Sequence, residues 1–367
     1  MYRKLGEDFK FIGTGEMEEW RKGQGWEKPD TKPYVIEAGE HPGLAHRLAA
    51  DSEVVILGSA PEEYFKVRMK EQKGGITFRY SERIYKGGRW RCLSPRGLLL
   101  RINSYYRYRN RKLYMLCASA YTSADLLLQG AYLGRCYRWG YYPETIYYQP
   151  GELSERKSKN GLRLLWCGRL VEYKHVETVA ELAFGLKQEG YEFELQIIGS
   201  GDMESRLRLL LQEYGLESMV RLSGSMTAKE VRRQMEEADI FVLTSDFREG
   251  WGAVVNEAMN SGCAVIASHA AGAAPFLLKD GWNGYIYENG NPDSLKRKAA
   301  YLLCHRQVCE EVGRRAYETI VNEWNAQTAA ERLLLLIEDL QAYGTSERFR
   351  TGPCSKAEIL WNSWYKD

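Results

Sequence analysis

The chain is 367 residues long, more than a single typical core requires, so two domains are expected. Its 51 Lys and Arg almost balance 49 Asp and Glu, and no apolar run approaches the length of a membrane span, which excludes a helical membrane-spanning protein. Eight cysteines without a Cys-x-x-Cys pair, most of them in apolar runs, read as reduced, buried thiols of a cytosolic protein. The opening Met1-Tyr-Arg-Lys-Leu-Gly6 lacks the apolar region of a signal peptide.

In chain order, Phe9–Gly13 reads as a strand, 15–32 as a polar, tryptophan-dotted loop, and Pro42–Ala50 as a helix. Glu53–Gly58 reads as a buried parallel strand followed by a helix over 62–73. Ile76–Tyr80 is a strand, Pro95–Tyr108 a helix, Lys112–Cys117 a strand, Thr122–Leu133 a helix, and Arg135–Tyr141 a last strand or turn. Tyr142–Gly161, with Pro143, Pro150 and Gly151, has linker composition. A second alternation follows, with strands at 162–167, 193–198, 220–222, 240–244, 263–267 and 285–287. Helices are expected at 176–188, 203–214, 228–238, 292–304, 308–321 and 329–343, and a tail follows Pro353. Strands alternating with helices in this way imply a parallel α/β sheet in each half. The expected division is 1–145, a linker 146–160, a second domain 161–343, and 344–367 as a crossing helix or tail.

Charge is uneven along the chain. Lys66 to Lys112 holds fifteen Lys and Arg against Glu71 and Glu82, interleaved with Trp90, Tyr105, Tyr106, Tyr108 and Tyr114. Such a stretch suits a polyanion, an anionic membrane surface or nucleic acid, or else is a solvated face around an ordinary helix. No RNA-binding aromatic signature or helix-turn-helix cue accompanies it, so a nucleic-acid partner is not expected. His41 and His46 miss the i, i+4 spacing that would put both on one helix face. No thiol or third histidine joins them, so no metal site is expected.

The most informative stretch is Ser245-Asp-Phe-Arg-Glu-Gly-Trp-Gly-Ala-Val-Val-Asn-Glu-Ala-Met-Asn-Ser-Gly262, which lies between two apolar strand-type runs. It reads as a glycine-containing turn and then a helix stopped by Gly262. A turn of this kind aims free N–H groups and the positive end of a helix at one place, which suits a phosphate. Glu249 sits in the turn and Glu257 eight positions on, about two helical turns deeper. Both carboxylates suit sugar and ribose hydroxyls.

Glu249-Gly-Trp-Gly and Glu257-Ala-Met-Asn-Ser-Gly262 resemble the Glu-x7-Glu signature of family 4 retaining glycosyltransferases of the GT-B fold. The resemblance implies two facing Rossmann-like domains with parallel sheets and a C-terminal helix crossing back to the first domain, for which Ser355–Tyr365 is the candidate. It implies a metal-independent enzyme of hexosyltransferase type without a cofactor, taking a nucleotide-sugar donor and a saccharide or lipid-linked acceptor. Synthesis of a bacterial capsule, exopolysaccharide or glycolipid is the expected setting, in the cytoplasm or at the inner face of the plasma membrane. Gly168-Arg-Leu-Val-Glu-Tyr-Lys174 resembles the family element whose Arg and Lys grip the diphosphate, which points to Arg169 and Lys174. Glu249 would contact the donor sugar and Glu257 the ribose, with Gly250, Trp251, Gly252 and Ala253 presenting N–H groups. Gly199 matches the family's Gly-x-Gly after a strand. Gly224 and Ser225 stand either where relatives contact the base or in a plain turn, and Gly272 matches one glycine of a Gly-Gly pair.

The first domain departs further from the family. Where many family members carry a histidine after a strand corresponding to Ile76–Tyr80, this chain has Arg79-Tyr-Ser-Glu-Arg83. Ser81 and Glu82 there either orient a substrate or cap a helix, and Ser119 has the same two readings. The departure motivates an alternative, a catalytically silent sugar-nucleotide-binding scaffold. The start, Tyr2–Gly6, resembles the end of a GT-B first helix, so about 20 residues are expected to be missing upstream, at about 1.5 Å per helical residue. The other reading is a naturally minimal first domain.

Overall fold

Short apolar runs, each followed by a helix, dictate parallel pairing, because a helical crossover returns the chain to the same end of a sheet. The computed structural model describes residues 1–15, 32–71, 74–157 and 161–367. The polar segment expected to be a loop lies outside them except at its ends, as does 158–160 of the expected linker. Two units result: Met1–Trp139 with Gln327–Ile359, and Gly140–Ala326 with Leu360–Asp367.

In the first unit β1 (Phe11–Gly13) pairs in parallel with β2 (Val35–Glu37) as a separate small sheet. The main sheet is parallel, in the order β3 (Val54–Leu57), β4 (Ile76–Ser81), β5 (Leu113–Cys117), β6 (Cys136–Arg138). β5 is buried at every residue, as its unbroken apolar run requires. β3, expected to be buried, is instead an edge strand with Ile56 43% exposed. The helix expected over Thr122–Leu133 ends at Leu128, because Gly130, Tyr132 and Gly134 all take positive φ.

Arg68, on the helix Glu62–Glu71, is fully buried beneath this sheet. Its guanidinium donates to the carbonyls of Ala50, Ser52, Glu53 and Ile76 and to Thr77 Oγ1. One side chain thus satisfies the end of the helix Pro42–Asp51 and the starts of β3 and β4. Burial pulls its pKa down to about 10, against the opposing charge of Asp51, so it remains charged at neutral pH.

The segment returning to this unit is the helix Ala326–Tyr343, not Ser355–Tyr365. Leu333, Leu336, Ile337 and Leu340 pack on Ile76, Phe78, Tyr114, Leu116 and Tyr137. Gly344 and Gly352, both at positive φ, end any helical path. Cys354–Ala357 then runs along the edge of β6: Cys354 N–H donates to Arg138 O (2.8 Å), Arg138 N–H to Ser355 O (2.7 Å) and Ala357 N–H to Cys136 O (3.0 Å). The backbone groups that a helix would have used are spent in covering a strand edge.

The second unit holds a six-stranded parallel sheet in the order β12-β11-β10-β7-β8-β9. Its strands are β7 (Arg163–Cys167), β8 (Glu194–Ile198), β9 (Val220–Leu222), β10 (Ile240–Leu243), β11 (Ala264–Ser268) and β12 (Tyr285–Tyr287). Alternate residues face opposite cores. Leu164, Trp166, Ile240 and Val242 pack with Val179, Ala183 and Leu207, whereas Leu165, Phe241 and Leu243 pack with Val255, Met259 and Ile320. The stretch expected as a linker belongs to this unit from Gly140 onward. Ile146 is held by both ends of the Asn260 amide (2.8 and 3.0 Å), and the short helix Glu152–Arg156 is tied down by an Arg156–Glu236 ion pair.

Replacing Arg68 by Met keeps the bulk and removes every donor. Arg68→Met is expected to lower stability in urea unfolding by about 3 kcal/mol, since buried acceptors left without donors cost about 1–3 kcal/mol each. An unchanged midpoint would remove the assigned structural role.

Candidate functional site

Three loops interlock at the C-terminal ends of β7, β8 and β9. Gly168 N–H donates to Ile198 O (3.0 Å), Leu170 N–H to Ser200 O (2.8 Å) and Gly199 N–H to Gly224 O (2.8 Å). Ser200 and Ser225 share a hydroxyl hydrogen bond of 2.7 Å. Gly199 has φ +141°, and a Cβ there would lie 1.8 Å from Gly168 O, so only glycine permits the approach. Gly199 therefore has a backbone-packing role independent of any ligand.

The adjoining turn, Glu172–Lys174, is fixed to the end of β10. Thr244 Oγ1 donates to Lys174 O (2.6 Å) and accepts from Trp166 Nε1 (3.0 Å). Lys174 Nζ makes an ion pair with Glu249 Oε2, which also accepts from Ser245 Oγ (3.0 Å), and both charged side chains are 12% exposed. Arg169 is exposed and donates to Tyr173 OH (3.0 Å). The structure thus brings together Lys174 and Glu249, with Arg169 joined to the same turn through Tyr173.

Glu257 lies on the helix Val254–Asn260, and burial raises its carboxyl pKa while Arg232 opposes the shift. No described residue hydrogen-bonds to its carboxylate. Burial and the Glu257 charge push the Cys167 thiol, at the end of β7, up to about 12, while Lys174 pulls the other way. The charges of Glu257 and Lys174 therefore both reach this strand end, with opposite effect. The helix has seven residues, so its dipole is modest. Among the described residues the N–H groups of Gly250, Trp251, Gly252 and Ala253 have no backbone acceptor. Gly252 takes φ +92°, which turns the chain into the helix.

The Trp251 side chain is 1% exposed, donates to Asn256 Oδ1 (2.8 Å) and packs beside Phe276 and Trp324. Its ring belongs to the core, and only its backbone faces the turn. Trp251 O accepts from Ala273 N–H (3.0 Å), which brings the Gly272 loop to the same place.

The residues missed from sequence are Asp246, His175, Glu177 and Arg248. Asp246 Oδ2 lies 3.1 Å from His175 Nε2, and Glu177 Oε1 lies 3.0 Å from His175 Nδ1. Asp246 also takes the Arg248 guanidinium at 2.9 Å. His175 directly follows Lys174 and Asp246 directly follows Ser245, but no motif spacing marks either.

In the first unit Ser81 and Ser119 meet at the ends of β4 and β5, where Ala118 N–H donates to Ser81 O (2.9 Å). Ser81 Oγ donates to Glu82 O (2.8 Å), Glu82 pairs with Lys86, and buried Ser119 Oγ accepts from Tyr121 N–H (3.4 Å). Arg79 pairs with Glu62 at 3.3 Å and buried Arg83 with Asp125 at 3.4 Å. Among the described residues no group of three or more His, Cys, Asp or Glu is placed to hold a metal ion.

Two parallel-sheet units of this construction, with a carboxylate-bearing turn and helix at the sheet's C-terminal edge, define the GT-B class of fold. Residues 153–319 match the family model of the glycosyl transferases group 1. It is 29% identical over 185 residues to the putative colanic acid biosynthesis glycosyltransferase WcaL of Salmonella typhimurium, 49% of this chain and 45% of that protein. It is 32% identical over 184 residues to the amylovoran biosynthesis glycosyltransferase AmsK of Erwinia amylovora, with the same coverage. The chain thus spans about half the length of these relatives. Among solved structures, a glycosyltransferase from Rickettsia africae aligns over 87% of this chain and 84% of its own, with a TM-score of 0.62 and 15% identity. Sucrose-phosphate synthase from Thermosynechococcus elongatus aligns over 85% and 82%, with a TM-score of 0.61 and 16% identity. At those identities the likeness concerns the fold.

Gly199→Ala is expected to destabilise the second unit by at least about 2 kcal/mol, through positive φ and the clash with Gly168 O. Urea unfolding followed by tryptophan fluorescence measures this, and a parent-like curve would contradict the steric argument.

Proposed function

We propose that the chain is a retaining, metal-independent glycosyltransferase that moves a sugar from a nucleotide-sugar donor to a saccharide or lipid-linked acceptor in bacterial surface-polysaccharide or glycolipid synthesis. The observation that carries the reading is the gathering of Lys174, Glu249 and Ser245 beside the Glu257 carboxylate at the C-terminal ends of β7 and β10. A departing diphosphate needs positive charge on its oxygens, which Lys174 and Arg169 supply together with the N–H groups of Gly250 to Ala253. Glu257 accepts the ribose hydroxyls and Glu249 a hydroxyl of the donor sugar. The relatives' names for colanic acid and amylovoran synthesis support the polysaccharide setting.

On this reading Glu257→Ala weakens the binding of UDP, GDP, ADP or CDP, whichever is the cognate diphosphate. Arg169→Ala weakens it by about 1.5–3 kcal/mol but leaves nucleoside binding nearly unchanged. Calorimetry on the variants tests the assignment, and parent-like affinities for all four diphosphates would sink it. A catalytically silent sugar-nucleotide-binding scaffold is the second reading. It is favoured by Arg79 and Arg83, which stand where relatives carry a histidine and form ion pairs with Glu62 and Asp125. Donor hydrolysis by the purified chain separates the two.

The proposed working place is the inner face of the plasma membrane. No described helix is long and apolar enough to cross a membrane. The basic stretch instead exposes Trp90 (70%), Leu93 (83%) and Leu99 (60%) next to exposed Arg91, Arg107 and Arg109. Apolar side chains with a cationic rim suit an anionic lipid surface, where each basic residue contributes about 1 kcal/mol. Sedimentation with vesicles should rise steeply with phosphatidylglycerol content and fall in Leu93→Ser/Leu99→Ser. Binding indifferent to anionic lipid would reject this placement.

A further inference from the structure

Lys174 can serve a donor only if its turn is held against the Glu249 loop, and one residue joins the two. His175 takes left-handed dihedrals (φ 48°, ψ 50°) at the end of the Glu172–Lys174 turn, which swings its ring toward the segment after β10. Its Nδ1 lies 3.0 Å from Glu177 Oε1 and its Nε2 3.1 Å from Asp246 Oδ2. A neutral imidazole has a single N–H, so two carboxylate oxygens at these distances are both satisfied only by the doubly protonated ring. Asp246 in turn donates its backbone N–H to Tyr173 O (2.9 Å) and accepts Glu249 N–H on its carbonyl (3.0 Å). The path from His175 to the Lys174–Glu249 pair is therefore continuous. We infer that His175, as an imidazolium bridging Glu177 and Asp246, is the positioning residue that sets Lys174 against Glu249 and assembles the diphosphate site. The inference rests on the proposed function of that site.

The charged groups that meet the ring are Glu177 on the helix Glu177–Gln188 and Asp246 on the loop after β10; Arg248 pairs with Asp246 and with Glu172, and Arg206 on the helix Glu204–Glu213 acts on Glu177. Hydrogen bonds donated to the Asp246 and Glu177 carboxylates raise the His175 pKa from 6.5 to about 9. Asp246 is held down to about 2, despite its partial burial, by His175 and Arg248, and Glu177 also titrates below the ordinary range. Across neutral and mildly alkaline pH the carboxylates keep their charge and the imidazole changes. A raised folded-state pKa means that the stability the bridge contributes is fully present below about 6.5 and is lost as pH rises through about 9, where the ring gives up its second proton.

His175→Gly suits the left-handed dihedrals and removes the bridge without straining the turn. Calorimetry would use the tightest-binding of UDP, GDP, ADP and CDP at pH 7.5 and pH 10. The parent is expected to lose about tenfold in affinity between the two pH values. His175→Gly is expected to be about tenfold weaker at pH 7.5, with a flatter profile. Nitrogen-15 NMR of the nucleotide-free protein should show both His175 ring nitrogens protonated at pH 7.5. Hydrogen exchange should show the Asp246 and Glu249 amides opening faster in His175→Gly. A singly protonated ring at pH 7.5, or an equal alkaline decline in parent and variant, overturns the inference. If none of the four diphosphates binds the parent, the proposed function fails. The inference is then decided by the ring protonation and by the two amides, whose parent-like protection in His175→Gly would overturn it.

Discussion

A lysine and a glutamate 75 positions apart meet with little water around them at the open edge of a parallel sheet, and much of the second unit holds them there. Withdrawing two charges from water is unfavourable unless their remaining hydrogen-bonding capacity is met and their backbones are fixed. The backbone is fixed on the lysine side, and Glu249 Oε2 is doubly satisfied. Ser245 occupies the same Glu249 oxygen as Lys174, Thr244 holds the Lys174 carbonyl, and Trp166 locks Thr244 from within the core. An ion pair of this kind is a site held ready, because an incoming anion can replace the carboxylate as the partner of Lys174 without any backbone rearrangement. On the proposed reading Glu249, released from Lys174, turns its oxygens to the donor sugar.

The fixed backbone comes from crowding at the strand ends. Gly168 donates to the last residue of β8 and Leu170 to the loop after it, and Gly199 at φ +141° donates to the loop after β9. A methyl group at 199 has no room, because it would meet the Gly168 carbonyl of the loop after β7. Trp251 fixes the backbone on the other side of the site. Its buried ring anchors the turn while its carbonyl holds the Gly272 loop through Ala273.

The second unit was legible because its signals are local. Strand runs such as Ile240–Leu243 alternate between two cores, and the turn and helix around Glu249 and Glu257 lie within one short stretch. What escaped was whatever depends on distant partners. His175 acquires meaning only from Asp246 and Glu177, and the core role of the Trp251 ring only from Phe276 and Trp324. Composition misled at the linker, whose Pro and Gly content conceals anchors on Asn260 and Glu236. The resemblance misled at the end of the chain, where it implied a crossing helix over Ser355–Tyr365, but the backbone groups of Cys354, Ser355 and Ala357 are spent on β6.

The course of that tail explains how the last residues bear on the site. The chain passes from the first unit to the second at Trp139, returns at Gln327, and passes again at Leu360. Its last eight residues belong to the second unit. Asp367 pairs with Arg297 (2.8 Å) and Lys298 (3.4 Å), and Tyr365 OH lies 2.6 Å from Ile286 O. His269, buried just after β11, accepts from Asn289 N–H on Nδ1 and so must donate through Nε2 to Asn362 O (3.0 Å). This geometry needs the neutral ring, and burial, the largest influence on its pKa, lowers it accordingly. The same ring stacks on Tyr365 (5.9 Å between centroids) and meets Phe247 edge-on (5.3 Å). Phe247 lies between Asp246 and Glu249 in sequence, so the loop carrying the candidate site has a charged histidine bridge on one side and a neutral histidine contact on the other. Opposite protonation states are needed at neutral pH, and opposite environments supply them: two carboxylates around His175, and aromatic rings with backbone groups around His269.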